Sequence, residues 1–340
     1  MRISKAFYIK VSVTLLIVAI FCLAIYLNAF KANVKNNKDQ ELYIDKAYPV
    51  SSIGMILDSI VQDTFLITRL AKWMQLKQIK PGHYKIKAGS NNLSLVNKLR
   101  KGVQDPVSVV LNSIRDVYQL SGKLGNSLLP DSVEFLNMLQ DSVLLKNNNY
   151  TKDNILTAFI ANTYQLYWTS TPERILQRMI QENHTFWNKE NRSQKLIEKA
   201  LSKTDAYIIA SIVEKETNID IEKPDIAGVY INRLKTGMKL QADPTVVFAL
   251  GLFGIQRVLL EHLKADSPYN TYFVEGLPPG PICMPSVTSL DAVINATPHD
   301  YLFFCARPGY DGSHAFAKTL SGHYENAKLY RNWLNAQRIR

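Results

Sequence analysis

Cysteine is scarce in this chain. Its three residues, Cys22, Cys283 and Cys305, form no Cys-x-x-Cys pair, so neither a zinc ribbon nor a thioredoxin-type redox site is expected. The six histidines are scattered and none sits in a His-Glu-x-x-His motif, which argues against a zinc hydrolase. There is no Gly-rich phosphate loop, and Gly312-Ser313-His314 lacks the pattern of a nucleophile elbow. Internal repeats and low-complexity tracts are absent as well. The net charge is +11, yet no Lys/Arg tract with interleaved aromatics occurs. Nucleic acid is therefore not an expected partner; the basic excess fits an anionic membrane surface or an acidic polymer. No metal and no organic cofactor is called for.

What is present is one long hydrophobic run and enough apolar residues for sizeable cores. With 340 residues, 46% hydrophobic and 20% charged, the chain is long enough for two domains and an anchor. Val11 to Phe30 carries no charge over 20 residues, long enough for a helix to cross a bilayer. Arg2, Lys5 and Lys10 precede it, which favours residues 1–10 as a cytoplasmic N-terminus. The run is longer than a usual signal core, and no clear Ala-x-Ala site follows, so a retained span is expected rather than a cleaved signal. Cys22 lies within it after Phe21, where a lipoprotein signal needs a small residue. Residues 31–40 are polar and read as a linker.

Residues 41–103 read as a small α+β unit. Glu41 to Ile44 and His83 to Ile86 suit short strands. Ser51 or Ser52 is placed to cap a helix through Ile60, and the helical pattern continues over Phe65 to Met74 with Ile67, Leu70, Ala71 and Met74 on one face. Ser94 is placed to cap a last helix that stops at Gly102. This order serves a carbohydrate-binding module and a plain packing subdomain equally. Residues 104–340 form the larger unit, with a strand over Pro106 to Leu111, helices to about Lys203, and a basic segment, Lys189 to Lys199, expected on a solvated face. Beyond Ala242 the composition shifts to Pro, Gly and aromatics, as in loops and short strands. Cys283 and Cys305 can pair in an oxidising compartment or remain buried thiols; the sequence leaves both open.

The sharpest local signal is Asp205 to Thr217. Asp205 can cap a helix whose stripe of Ile209, Ile212 and Val213 continues to Glu216, seven residues after Ile209. Glu214 lies about 160° away around that helix, so the periodicity turns Glu216 to the core. A carboxyl against apolar neighbours holds its proton more tightly and can act as a general acid. The competing structural reading is an ion pair of Glu216 with Lys215 or Arg233. Leu240-Gln-Ala-Asp-Pro-Thr-Val246 reads as a turn. Ser267-Pro-Tyr-Asn-Thr-Tyr272 and Gly276-Leu-Pro-Pro-Gly-Pro-Ile282 read as rigid loops whose tyrosines and amides suit sugars.

Taken together, ordered segments of the chain resemble the MltG-type (YceG-like) endolytic murein transglycosylases. They are Ser211-Ile-Val-Glu-Lys-Glu-Thr217, Val229-Tyr-Ile-Asn-Arg-Leu234, Met238 to Val246, Ser267 to Tyr272, Gly276 to Ile282, Gly312-Ser-His-Ala-Phe316 and His323. Upstream, Lys80-Pro-Gly-His-Tyr84 followed by Ser94 to Gly102 resembles the family's LysM-like subdomain. The resemblance implies an α+β fold with an N-terminal transmembrane helix (11–30), a LysM-like subdomain (41–103) and an α+β catalytic domain (104–340). It implies a peptidoglycan substrate cut inside the strand between MurNAc and GlcNAc, 1,6-anhydro-MurNAc ends, and Glu216 as catalytic residue. It also implies a place in the inner membrane with the catalytic domain on the periplasmic side, and peptidoglycan synthases as partners. Candidate glycan contacts are Asn162, Gln241, Asp243, Thr245, Tyr269, Asn270 and Tyr272. One departure stands out: the family carries an acidic Pro-Asp-Thr-Tyr type segment where this chain has Ala161-Asn-Thr-Tyr164. Asn162 cannot ionise, so only a hydrogen-bonding role survives there. The rival readings are a non-catalytic peptidoglycan-binding scaffold and a hydrolytic muramidase using Asp243 as a second carboxylate.

Overall fold

The uncharged N-terminal run forms helix α1 (Lys5–Phe30) in a computed structural model that describes residues 5–255, 258–309 and 311–337. Its apolar stretch Phe7–Phe30 has 24 residues and is almost wholly exposed. At 1.5 Å per residue that is enough to cross the hydrocarbon layer of a bilayer. The chain divides into two units. The first runs to Ser108 and adds Ser127–Leu129 and Gln165–Ser170; the second holds the remainder.

In the first unit, β1 (Gln40–Ile44) is followed by β2 (Tyr48–Pro49), α2 (Ile53–Leu57), α3 (Thr64–Trp73), β3 (Gln78–Ile79), β4 (Gly82–Ile86) and α4 (Asn92–Lys101). β1 and β4 pair antiparallel, Gln40 opposite Ile86 and Ile44 opposite Gly82, and β2 pairs with β3. Leu42, Ile44, Ile67, Leu70, Ala71, Tyr84, Leu95 and Leu99 meet in its core. Several caps differ from the sequence reading. Ser52 makes no cap, because Val50–Ser52 is a 3-10 turn and α2 ends at Leu57. Asp63 starts α3 as a separate helix, its carboxylate accepting from Phe65 N and Leu66 N. Asn91, not Ser94, caps α4 and accepts from Ser94 N; Gly102 ends it in the left-handed region.

The polar stretch read as a linker is folded. Asn33 and Val34 are buried. Asn33 Nδ2 donates to Asn92 Oδ1 (2.6 Å) and Asp63 O (2.8 Å), and its Oδ1 accepts from Asp63 N. Ala29, at the end of α1, belongs to the same core, and Asn28 O accepts from Asn92 Nδ2. A polar side chain is buried without loss when every polar atom finds a partner, and composition alone cannot reveal those partners.

The second unit opens within β5 (Val107–Leu111), then α5 (Val117–Gly125), α6 (Ser132–Gln140), α7 (Ser142–Asn147), most of β6 (Asn162–Leu166), α8 (Pro172–Asn188) and α9 (Arg192–Glu198). It continues with α10 (Lys203–Glu216), α11 (Lys223–Lys235), α12 (Asp243–Leu250), α13 (Val287–Ile294), β7 (Phe303–Ala306), β8 (His314–Ala317) and α14 (Leu320–Ala336). β5 pairs with β6, and β7 with β8. Among the described residues, the stretch beyond Ala242 thus holds the α-helices α12, α13 and α14 where loops and strands were expected. Asp243-Pro244 is not a turn but the first turn of α12, where Pro is tolerated because its missing N–H has no helical partner. The basic segment is not wholly solvated either: Arg192 is buried, its Nε 2.9 Å from Asp291 Oδ1.

α10 is the central helix. Ser202 caps it, and Asp205 is the third residue of a capping box rather than the cap. Ala206 to Val213 are all buried, because α9, α11, α12 and α13 pack around the helix. A helix enclosed on every side has no single apolar stripe, so its periodicity says less about facing than the sequence reading assumed.

Candidate active site

Glu216 is the last residue of α10 and is partly open to a cavity of about 390 Å3. Around it stand Tyr230 and Arg233 of α11, Gln241 and Asp243 at the entry to α12, Tyr272, Phe303 and Phe304 of β7, and Leu320, His323 and Tyr324 of α14. Tyr230 and Arg233 are three residues apart on one helix and therefore share a face. The Tyr230 hydroxyl donates to Glu216 Oε1 at 2.5 Å. Arg233 is buried and donates from Nε to Leu302 O (2.7 Å) and from Nη1 to Leu240 O (2.5 Å).

The Glu216 carboxyl is pushed up to about 7. Burial is the main cause and nearby Asp243 adds to it, while the Tyr230 hydrogen bond and the Arg233 charge oppose. At neutral pH the group is therefore divided between acid and carboxylate. Glu214 behaves differently. Burial pulls it upward, but Ser286 Oγ (2.6 Å), Ser289 Oγ (2.5 Å), the Ser286 backbone N–H and the Lys223 charge outweigh that and hold it low. Glu214 thus also points inward, where it anchors the start of α13; the expectation that only one of the two glutamates faces the interior does not hold.

The loop residues separate by role. Gln241 adopts φ 49°, its N–H bonds to Thr271 O (3.1 Å), and its side chain lines the cavity. Asp243 Oδ1 accepts from the Tyr272 hydroxyl (2.6 Å), and both line the same cavity. Thr245 is buried instead, with Oγ1 on Ala242 O (2.7 Å) and Thr271 Oγ1 (2.9 Å). Asn270 is buried and ties Leu263 O and Ala265 O. Tyr269 packs on Phe248, ring centroids 4.9 Å apart, and does not line the cavity. Asn162 starts β6 and faces a different hollow, beside Val110, Leu111 and Ser286. Of the seven candidate contacts, Gln241, Asp243 and Tyr272 share the cavity with Glu216. Thr245, Tyr269 and Asn270 brace the loops, and Asn162 lies elsewhere.

Sequence reasoning named Arg233 only as an ion-pair partner, held Tyr230 and His323 only within motifs, and missed the other lining residues. The i, i+3 spacing of Tyr230 and Arg233 was a usable signal. Phe303, Phe304 and Tyr324 gave none, since only the β7–β8 hairpin and the first turn of α14 bring them in. His323 stacks on Phe303 (5.5 Å) and is held below its ordinary value by burial and by Arg233 and Arg331. Cys283 and Cys305 are free thiols, Cys283 buried. No His, Cys, Asp and Glu cluster fit for a metal occurs among the described residues.

The cavity is continuous with two larger hollows. One of about 940 Å3 shares Glu216 and Asp243 with it and adds Arg115, Gln119, Lys215, Phe248, Phe253 and Tyr330. The other, of about 650 Å3, shares Asp243 and Tyr272 with the cavity and Asp243 and Val258 with the first hollow. The three meet at Asp243 and form one extended groove.

Comparison with known proteins places most of the chain. The chain is 28% identical over 302 residues to the endolytic murein transglycosylase of Bacillus subtilis, covering 83% of this chain and 82% of that protein. It is 27% identical over 320 residues to the endolytic murein transglycosylase of Streptococcus pneumoniae R6, covering 83% of this chain but 57% of that longer protein. A crystal structure of a yceG-like protein from Listeria monocytogenes superposes with a TM-score of 0.56 at 25% identity, over 85% of this chain and 99% of the other. The model of the YceG-like family matches residues 42–329, and the chain belongs to that family.

Proposed function

We propose that this chain is an endolytic murein transglycosylase, cutting peptidoglycan strands internally between MurNAc and GlcNAc with Glu216 as both general acid and general base. The observation that carries the reading is a largely desolvated carboxyl, raised to about 7, that lines both the cavity and the adjoining hollow of an extended groove. Most glycosidases need two carboxylates, one of them to activate water or to attack C1. A transglycosylase dispenses with the second carboxylate by using the sugar's own C6 hydroxyl, whose tether gives it a high effective concentration. Glu216 first gives its proton to the glycosidic oxygen as the bond from C1 to that oxygen breaks. The C6 oxygen then bonds to C1, and its proton passes to the Glu216 carboxylate. The 1,6-anhydro ring closes, no water is consumed, and the acid is regenerated. The MurNAc N-acetyl group stabilises the positive charge at C1 between the two steps. A group that must donate and then accept works best with a proton affinity near the working pH.

Gln241, Asp243 and Tyr272 are assigned as glycan contacts in this reading, while Thr245, Tyr269 and Asn270 keep the loops in place. Helix α1 is assigned as a single span in the cytoplasmic membrane, with the rest of the chain on the periplasmic side among nascent strands and the synthases that make them. The β1–β4 pair enclosing α2 and α3 supports a LysM-like module over 41–103, joined to a catalytic domain over 104–340.

The deciding experiment is mass spectrometry of muropeptides released from sacculi by the detergent-solubilised full chain and by its Glu216→Gln variant. Anhydro ends from the wild type alone are expected. Reducing ends would replace the reading with a muramidase that uses Asp243, which lines the same cavity, as second carboxylate. Binding of sacculi without any release would leave a scaffold.

A further inference from the structure

We propose that Tyr230 is the positioning residue for Glu216: its hydroxyl occupies Oε1 and leaves Oε2 as the oxygen that exchanges a proton with the glycan. This rests on the transglycosylase reading of the groove. The hydroxyl donates to Oε1 at 2.5 Å, and among the described residues Oε2 has no hydrogen-bond partner. A tyrosine has one O–H to give, and here it is committed to that oxygen. Burial first, and then the adjacent Glu216, push the Tyr230 hydroxyl well above its ordinary value, so it remains a donor at every working pH. A carboxyl whose Oε1 already accepts a hydrogen bond carries its own proton on Oε2.

The ring that holds this hydroxyl is itself held. Tyr230 is 1% exposed, and Phe304 packs edge-on against it, with centroids 6.0 Å apart at 87°. His314 packs edge-on against Phe304 in turn (5.4 Å). His314 is tied to Glu222 twice, from its backbone N–H to Oε1 (2.9 Å) and through Nδ1 to Oε2 (3.0 Å). The β7–β8 hairpin therefore clamps the Tyr230 ring on α11. This gives the motif residues Tyr230 and His314 a joint purpose that neither shows alone.

The contact also moderates the acid. Desolvation by itself would leave Glu216 protonated too firmly to act as a base in the second step. Tyr230 and Arg233 of α11 draw its proton affinity down, and Asp243 of α12 works against them. Tyr272, with His323 and Tyr324 of α14, completes the titratable and charged groups that line the cavity, and Lys215, Arg115 and Tyr330 those that the adjoining hollow adds.

The test is Tyr230→Phe in the full chain, which keeps the ring and its packing and removes only the hydroxyl. Two readouts are needed. One is a carbon-13 NMR titration of the Glu216 carboxyl, assigned by its absence in Glu216→Gln. The other is the pH profile of anhydro-end formation. The Glu216 titration is expected to move to higher pH, and the high-pH fall in activity to move with it. The kcat should drop about tenfold, the size of one lost hydrogen bond to a charged group, with KM unchanged. An unmoved titration overturns the proposal, whether or not kcat falls. A titration that moves in a chain which makes no anhydro ends would sink the transglycosylase reading and leave the Tyr230 contact standing.

Discussion

Glu216 and Glu214 are two residues apart on one helix, and their surroundings drive them in opposite directions. Glu216 is raised from 4.5 to about 7. As pH rises through that window the unfolded chain releases its proton first, so Glu216 lowers stability progressively and by a constant amount above it. Glu216→Gln is expected to match the wild type near pH 4 and exceed it above pH 7, by up to ~3 kcal/mol. Urea unfolding at both pH values measures this. A variant less stable than wild type at pH 8 would contradict the buried-acid picture. Glu214 is held low by Ser286, Ser289 and Lys223. It contributes stability above the ordinary glutamate range, and that stability is lost as pH falls through its folded value. Glu214→Gln should keep cleavage yet cost about 1–3 kcal/mol at pH 7. Loss of cleavage in a folded Glu214→Gln protein would move the catalytic assignment. Asn162→Ala should leave kcat and KM unchanged, since that side chain faces another hollow.

At the scale of elements, the groove depends on two loops braced against each other. Thr271 accepts from Ala242 N and meets Thr245 Oγ1, which fixes the entry to α12 and so the place of Asp243. Gly280 presses on the chain at Asp153 so closely that a Cβ there would collide with the Asp153 carbonyl. Gly280→Ala is expected to destabilise the second unit by about 1–3 kcal/mol, read as a lowered urea midpoint. Strand β1, helix α3, helix α4 and the strand at β5 were legible from periodicity and turn residues. The caps were less so, because Asn91 competes with nearby Ser94 of similar propensity and Asp63 interrupts what reads as a continuing helical pattern. α12 and α14 were missed because Pro and aromatics near a helix start resemble loop composition, and only packing decides between them.

At the scale of the whole molecule, α1 and the residues after it are continuous with the first unit's core. A chain beginning at residue 41 loses Val34 and the Asn33 hydrogen bonds and leaves Asn92 buried without that partner. Calorimetry should show its first transition lowered, by roughly 4–8 °C for each kcal/mol lost from a unit this small. A chain beginning at residue 28 should keep the wild-type transition. Equal transitions would mean that these buried contacts contribute nothing.

The sequence by itself determined the long apolar N-terminal helix and the family, and it singled out Glu216. Those rest on a run of uncharged residues and on ordered motifs, both of which are local. Tertiary structure alone decided that Glu214 also turns inward, that Asn33 and Val34 are core, and that Tyr230, Arg233 and the β7 aromatics surround Glu216. The reason is that partners for a buried polar atom come from residues distant in the chain, as Ser286 does for Glu214 and Asn92 does for Asn33. No periodicity records a contact across 60 or 70 residues; only the packed fold makes it.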